Sequence, residues 1–136
     1  MNLKLSHKPL PKLRETTSSP QLNITGSKSE TNRLLFLQAL YPNITLENTS
    51  NSDDSEVMMQ ALQNPPTPNS QLPVSSFQLI DVHHAGTAMR FLTAFFAIQE
   101  DRVVVLTGSS RMKERPIKIL VEALRTLGAD IEYLEN

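Results

Sequence analysis

The chain has 136 residues, with 13 Lys and Arg against 14 Asp and Glu and a formal net charge of −1. That balance gives no support for a nucleic-acid partner, which calls for a basic excess. The lack of cysteine excludes a disulfide framework and thiolate metal sites, and fits a cytoplasmic setting. A hydrophobic share of 39% and a charged share of 20% are those of an ordinary globular domain, with enough chain for one core. No apolar run reaches the length of a membrane span, and the first residues lack the apolar stretch of a signal peptide.

Residues 3–7 suit a short strand, and residues 9–20, with Pro9, Pro11 and Pro20 around a Thr-Thr-Ser-Ser run, an irregular connector. Leu22 and Ile24 alternate in a predicted strand over 21–25. A helix is predicted from about Glu30 to Leu40, with Ser27 and Glu30 at capping-box spacing. Leu34, Leu35, Phe36, Leu37 and Leu40 make it apolar nearly all round, which predicts deep burial. Ile44 to Glu47 reads as a second strand.

Ser52-Asp53-Asp54 opens a helix to about Gln63, its acidic residues lying where the macrodipole favours them. Its inner face is Val57, Met58, Ala61 and Leu62. Pro65, Pro66, Pro68 and Pro73 exclude helix and central strand from 64–76. Phe77 to Val82 is a predicted strand and Gly86 to Ile98 a helix rich in buried aromatics. Val103 to Leu106 is apolar on both faces, as in a covered sheet. Pro116 suits the first turn of a last helix, where Ile117, Leu120, Val121, Leu124 and Leu127 repeat at 3.6 and Gly128 stops the run. Ile131 to Leu134 closes the chain as a strand. The order β-α-β-α-β-α-β-α-β is an α/β pattern, for which a doubly wound parallel sheet is the default.

Three segments join small or hydroxylated residues to basic ones at a helix start: Gly26-Ser27-Lys28-Ser29-Glu30-Thr31-Asn32-Arg33, Ala85-Gly86-Thr87-Ala88-Met89-Arg90, and Arg111-Met112-Lys113-Glu114-Arg115-Pro116. Free backbone N–H groups and the helix dipole seat phosphate or carboxylate, and added cations define the charge of the site. Three such starts suggest a pocket for a multiply anionic small molecule. Ser29 and Arg33 share a helix face with Lys28 just before them, which suits an oxyanion but also a plain capped helix with a solvated face. Gly86 lets a ligand approach the backbone and Thr87 adds a hydroxyl, or the pair simply opens a helix. Arg115, fixed by Pro116, aims a planar fork, while Arg111 and Lys113 read as a solvated basic loop.

Asp53 and Asp54 read as an acid–base pair, as a metal site, or more simply as helix capping. His83 and His84 on a strand would face opposite ways with no third ligand, so no metal is expected.

In this order, Gly-Ser-Lys-Ser-x-x-Asn-Arg, Ala-Gly-Thr-Ala-Met-Arg and Arg-Met-Lys-Glu-Arg-Pro-Ile resemble the 3-phosphoshikimate 1-carboxyvinyltransferase (EPSP synthase) family, as does Asn48 to Asp54, which ends in Ser-Asp-Asp. The resemblance runs from about Leu22 to Leu134. It implies repeated βαβαββ units with helices inside and sheets outside, an inside-out α/β barrel of which residues 21–136 form a partial domain behind an N-terminal strand and connector at 1–20. It implies enolpyruvyl transfer from phosphoenolpyruvate to the 5-hydroxyl of shikimate 3-phosphate.

By the same resemblance Lys28, Gly86, Thr87 and Arg115 contact phosphoenolpyruvate, and Lys28, Ser29 and Arg33 contact shikimate 3-phosphate. Asp53, His84 and Arg90 are possible supporting residues; His84 stands where the family usually has Asn. No cofactor, metal, nucleic acid or membrane is implied. The main acid–base groups would come from the rest of the enzyme, so the chain reads as an N-terminal part that is inactive alone. The alternative is a stand-alone module that binds a phosphorylated metabolite without turning it over.

Overall fold

A computed structural model describes residues 23–63 and 77–134. The predicted strand at 3–7, the connector at 9–20 and the proline-rich 64–76 lie outside the described residues. Among the described residues, five helices and two strands follow in the order α1 (Lys28–Leu40), α2 (Asp53–Gln63), β1 (Gln78–Asp81), α3 (Gly86–Phe96), β2 (Val104–Thr107), α4 (Ser110–Lys113) and α5 (Lys118–Thr126).

β1 and β2 pair in parallel, Gln78 opposite Val104 through Asp81 opposite Thr107. Parallel strands need a crossover between them, which α3 supplies. The core lies where α1, α2 and α3 meet the inner side of β1, among Leu35, Met58, Ala61, Ile80, Val82, Ala88, Leu92 and Met112. Phe36 packs at 5.7 Å from Phe91 and 5.9 Å from Phe95, ring centre to ring centre, so an aromatic cluster joins α1 to α3. Where the sheet begins, Arg102 donates to the Gln78 side chain at 2.6 Å and stacks 5.0 Å over Phe96. Burial lowers the pKa of Arg102 from its ordinary value by desolvation.

Several expectations need correction. Segments 23–25, 44–47 and 131–134 are not strands, because a strand requires a paired neighbour and none of the described residues supplies one. The sheet is not covered on both faces: Phe77, Leu79 and Val103 are exposed while Ile80 and Val82 are buried. α1 begins at Lys28 with Ser27 as its N-cap, and it is not buried all round. Leu34 and Leu37 are 43% and 42% exposed, whereas Thr31 and Asn32 are buried.

The physical reason lies in the loop before α2 and in the first turn of α2 itself. The Ser50 N–H donates to the Thr31 hydroxyl at 2.9 Å, and the Ser55 hydroxyl donates to the Asn32 side-chain oxygen at 2.8 Å. Buried polar groups need partners, so these contacts turn the polar side of α1 inward. The last helix starts at Lys118, two residues after Pro116, with Ile117 as its N-cap at a non-helical φ of −125°, and the short α4 stands where a basic loop was expected. Gly128 does end it, with φ of +102°, the left-handed conformation that glycine adopts most cheaply.

Candidate functional site

In open parallel sheets, ligands bind beyond the carboxyl ends of the strands. Here those ends carry the two later motifs. β1 passes through Val82, whose N–H donates to Thr107 at 2.9 Å, into a turn at His83 and His84. β2 passes through Gly108 to Ser109. The two turns are joined where the Ser109 N–H donates to the His83 carbonyl at 3.0 Å. Gly108 permits this approach: a Cβ there would lie 2.9 Å from the same carbonyl oxygen, closer than real side chains come. His83 has φ of +47° and donates its N–H to the Asp81 carboxylate at 2.8 Å. The two histidines therefore sit in a turn rather than on a strand, which corrects the sequence reading.

Ser109 caps α4 by accepting the Met112 N–H at 3.3 Å, and its hydroxyl lies 3.0 Å from His84 Nδ1. His84, Ser109, Ser110, Arg111, Met112 and Arg115 line a groove of about 430 Å³. A second groove of about 310 Å³ lies on the other side of Arg115, among Lys113, Pro116, Lys118, Glu122, Arg125 and Tyr133. Arg115 is common to both.

Its guanidinium covers the Cα of Gly86 so closely that a Cβ at Gly86 would collide with it, and the same Cβ would come 3.5 Å from the Arg90 guanidinium. Arg90 donates to the Gly86 carbonyl at 3.0 Å and to the Pro116 carbonyl at 3.2 Å. It thereby ties the first turn of α3 to the residue after Arg115. Thr87, partly buried, follows Gly86 in that turn.

The first motif forms a separate cluster on α1 and α2. Arg33 donates to the Ser29 carbonyl at 2.7 Å and also to the Ser29 hydroxyl, so these two do share a face. Lys28 lies 3.5 Å from the Asp54 carboxylate, their side chains 51% and 18% exposed. Asp53, at the start of α2, is exposed. The acidic residue that faces the cation is thus Asp54, which spacing alone did not separate from Asp53.

Gly86, Arg90, Arg115 and His84 are brought to one end of the sheet. Lys28, Ser29 and Arg33 line neither groove. Ser109 is a residue that sequence reasoning missed; the available signal was a Gly-Ser-Ser run after a strand that sets Ser109 three residues before Met112, a capping position. Asn32 was missed as well. It is wholly buried, and its amide nitrogen has no hydrogen-bond partner. Among the described residues no three His, Cys, Asp or Glu side chains converge as metal ligands would, and no helix is long and apolar enough to cross a membrane.

Comparison with known proteins agrees on one family. The family model of EPSP synthase (3-phosphoshikimate 1-carboxyvinyltransferase) matches residues 15–136. A 3-phosphoshikimate 1-carboxyvinyltransferase of Bacteroides fragilis (strain YCH46) is 42% identical over 116 residues, covering 85% of this chain and 25% of the relative. One of Photobacterium profundum is 44% identical over 133 residues, covering 85% and 31%. The chain thus spans between a quarter and a third of the length of these curated relatives. No solved structure matches it.

Proposed function

Because the chain belongs to the EPSP synthase family, we propose that it forms part of an enzyme that transfers the enolpyruvyl group of phosphoenolpyruvate to the 5-hydroxyl of shikimate 3-phosphate. In that reaction the hydroxyl oxygen adds to C2 of phosphoenolpyruvate, C3 gains a proton, and the tetrahedral adduct expels phosphate. Both substrates are anions bearing a phosphate and a carboxylate, so the site must first collect cations.

The observation that carries the reading is the Arg115 guanidinium laid against the Gly86 backbone at the carboxyl end of the parallel strands. There Arg115, with Gly86 and Thr87, receives the phosphoenolpyruvate side. Lys28 serves both substrates, and Ser29 and Arg33 serve shikimate 3-phosphate once a ligand oxygen competes for the guanidinium that Ser29 now engages. Asp54 pairs with Lys28 until a ligand oxyanion takes its place, and Asp53 stands beside it at the start of α2. Arg90 supports Arg115 through Pro116.

The wider architecture belongs to the same proposal. Residues 21–136 form part of a domain of repeated βαβαββ units, and the proton donor and acceptor come from the remainder of a cytoplasmic enzyme that closes over the bound pair. The isolated chain accordingly binds and does not turn over.

Shikimate 3-phosphate and then phosphoenolpyruvate, titrated into the chain and followed by NMR, test this. Saturable shifts at Ser29, Arg33 and Thr87, lost in Lys28→Ala and Arg33→Ala, are expected. A folded sample with no shift up to millimolar ligand would sink the claim of a half-site formed in this chain. A turnover rate near that of a whole enzyme would sink the claim that it is inactive alone.

A further inference from the structure

We infer that Ser109 holds the His84 imidazole as its Nε2–H tautomer, and that this N–H is a further donor to an oxyanion in the groove beside Arg111 and Arg115. The inference rests on the reading of that groove as an anion site. A serine hydroxyl has one proton to give and two lone pairs to accept with. The Ser109 hydroxyl accepts the Met112 N–H at 3.3 Å and stands 3.0 Å from His84 Nδ1. Were the imidazole proton on Nδ1, the hydroxyl would accept twice and its own proton would go unused in this contact. With the proton on Nε2, the hydroxyl donates its proton to Nδ1 and accepts from Met112, so both its donor and an acceptor lone pair are used within the contact.

The backbone fixes the ring in that relation. The Ser109 N–H reaches the His83 carbonyl at 3.0 Å, and His83 is itself held by the Asp81 carboxylate at 2.8 Å. His84 lines the groove together with Arg111 and Arg115. Its Nδ1 is turned to Ser109, so the N–H it offers a ligand is Nε2–H. Two guanidinium groups supply charge; a neutral ring donor adds direction and favours a ligand with an acceptor oxygen on the His84 side. His84 would touch the ligand, and Ser109 is a positioning residue acting through it.

Ring-nitrogen NMR of the chain at a pH of about 8, above the ordinary imidazole pKa, reads the tautomer. Nitrogen-15 resonances should show a single Nε2–H ring with Nδ1 displaced by a hydrogen bond. Ser109→Ala should return Nδ1 to the position of a solvated ring, and Ser109→Thr, which keeps hydroxyl and cap, should restore the displacement. A His84 ring protonated on Nδ1, or an Nδ1 resonance indifferent to Ser109→Ala, overturns the inference.

Titration with inorganic phosphate reads the donor. His84→Ala should weaken binding about tenfold, the size of one hydrogen bond to a charged group. His84→Gln, which keeps an N–H near the Nε2 position, should stay within about threefold. If Arg115→Ala abolishes phosphate binding while His84→Ala leaves it unchanged, the inference fails and the reading of the groove stands. If the folded parent binds no phosphate, or Arg115→Ala has no effect, both fail together.

Discussion

The two cation clusters are built in opposite ways. On α1 and α2 the positive groups are answered by near neighbours: Lys28 by Asp54, Arg33 by Ser29 one turn earlier. At the end of the parallel strands Arg115 is held by what surrounds its backbone, through Pro116 and Arg90, and its charge lies against the bare Cα of Gly86. A cation answered by a neighbouring side chain must give up a partner before it can bind a ligand. One placed by its scaffold gives up nothing, so the strand-end groove should bind anions first and α1 should follow.

The largest way to break this contrast is to remove the floor that both clusters share. Leu92 is wholly buried at the meeting of the helices, and Leu92→Ala should cost about 3 kcal/mol in urea unfolding, since a cavity adds to the lost transfer energy. Anion binding at both clusters should fall together; a loss confined to one would mean that they do not share a core.

Ser55→Ala comes next. It leaves the buried Asn32 oxygen without the hydroxyl that serves it, and should cost about 2 kcal/mol. The Lys28–Asp54 contact should loosen while the strand-end groove keeps its phosphate affinity, a separation that NMR shifts at Lys28 and Thr87 would read.

Gly86→Ala acts only on the other side. The new methyl meets the far end of a flexible arginine, so stability should hardly change, but Arg115 must move and phosphate affinity should drop about tenfold. Unchanged affinity would show that the position of Arg115 over Gly86 is irrelevant to binding.

Asp54→Ala should be the mildest. An exposed ion pair contributes about 0.5 kcal/mol or less, so thermal melting should barely shift. Freed of its partner, Lys28 should bind phosphate a few times more tightly; weaker binding would mean that Asp54 orients Lys28 rather than competing for it.

The cations of this contrast were legible in the sequence, and the limits are instructive. The longer helices announced themselves through local signals such as Ser27, the acidic start of α2 and Gly128, whereas the four-residue α4 reads in sequence as a basic loop. The three motifs picked out the cations, but not their division into two clusters. The inward turn of Thr31 and Asn32 was hidden, because it answers the needs of Ser50 and Ser55, 19 and 23 residues away, rather than the hydrophobicity of α1. The strands expected at 44–47 and 131–134, like the alternating one at 21–25, rest on local composition, which says that a segment can be extended and not that a neighbour is there to pair with it. The turn at His83 depends on a positive φ, which histidine tolerates better than most side chains but which no pattern of side chains advertises.

The arginine where the sheet begins bears on the far end of it. A slip of one residue shifts a strand by about 3.3 Å and would turn buried Ile80 outward, and contacts at both ends of the short pair add to that resistance. Arg102 clasps Gln78 at one end of the pair and the Ser109 amide clasps His83 at the other. A slide in either direction must break both. The spacing of His84 from Ser109 is therefore pinned like a ruler between two stops, and it is set before any ligand arrives.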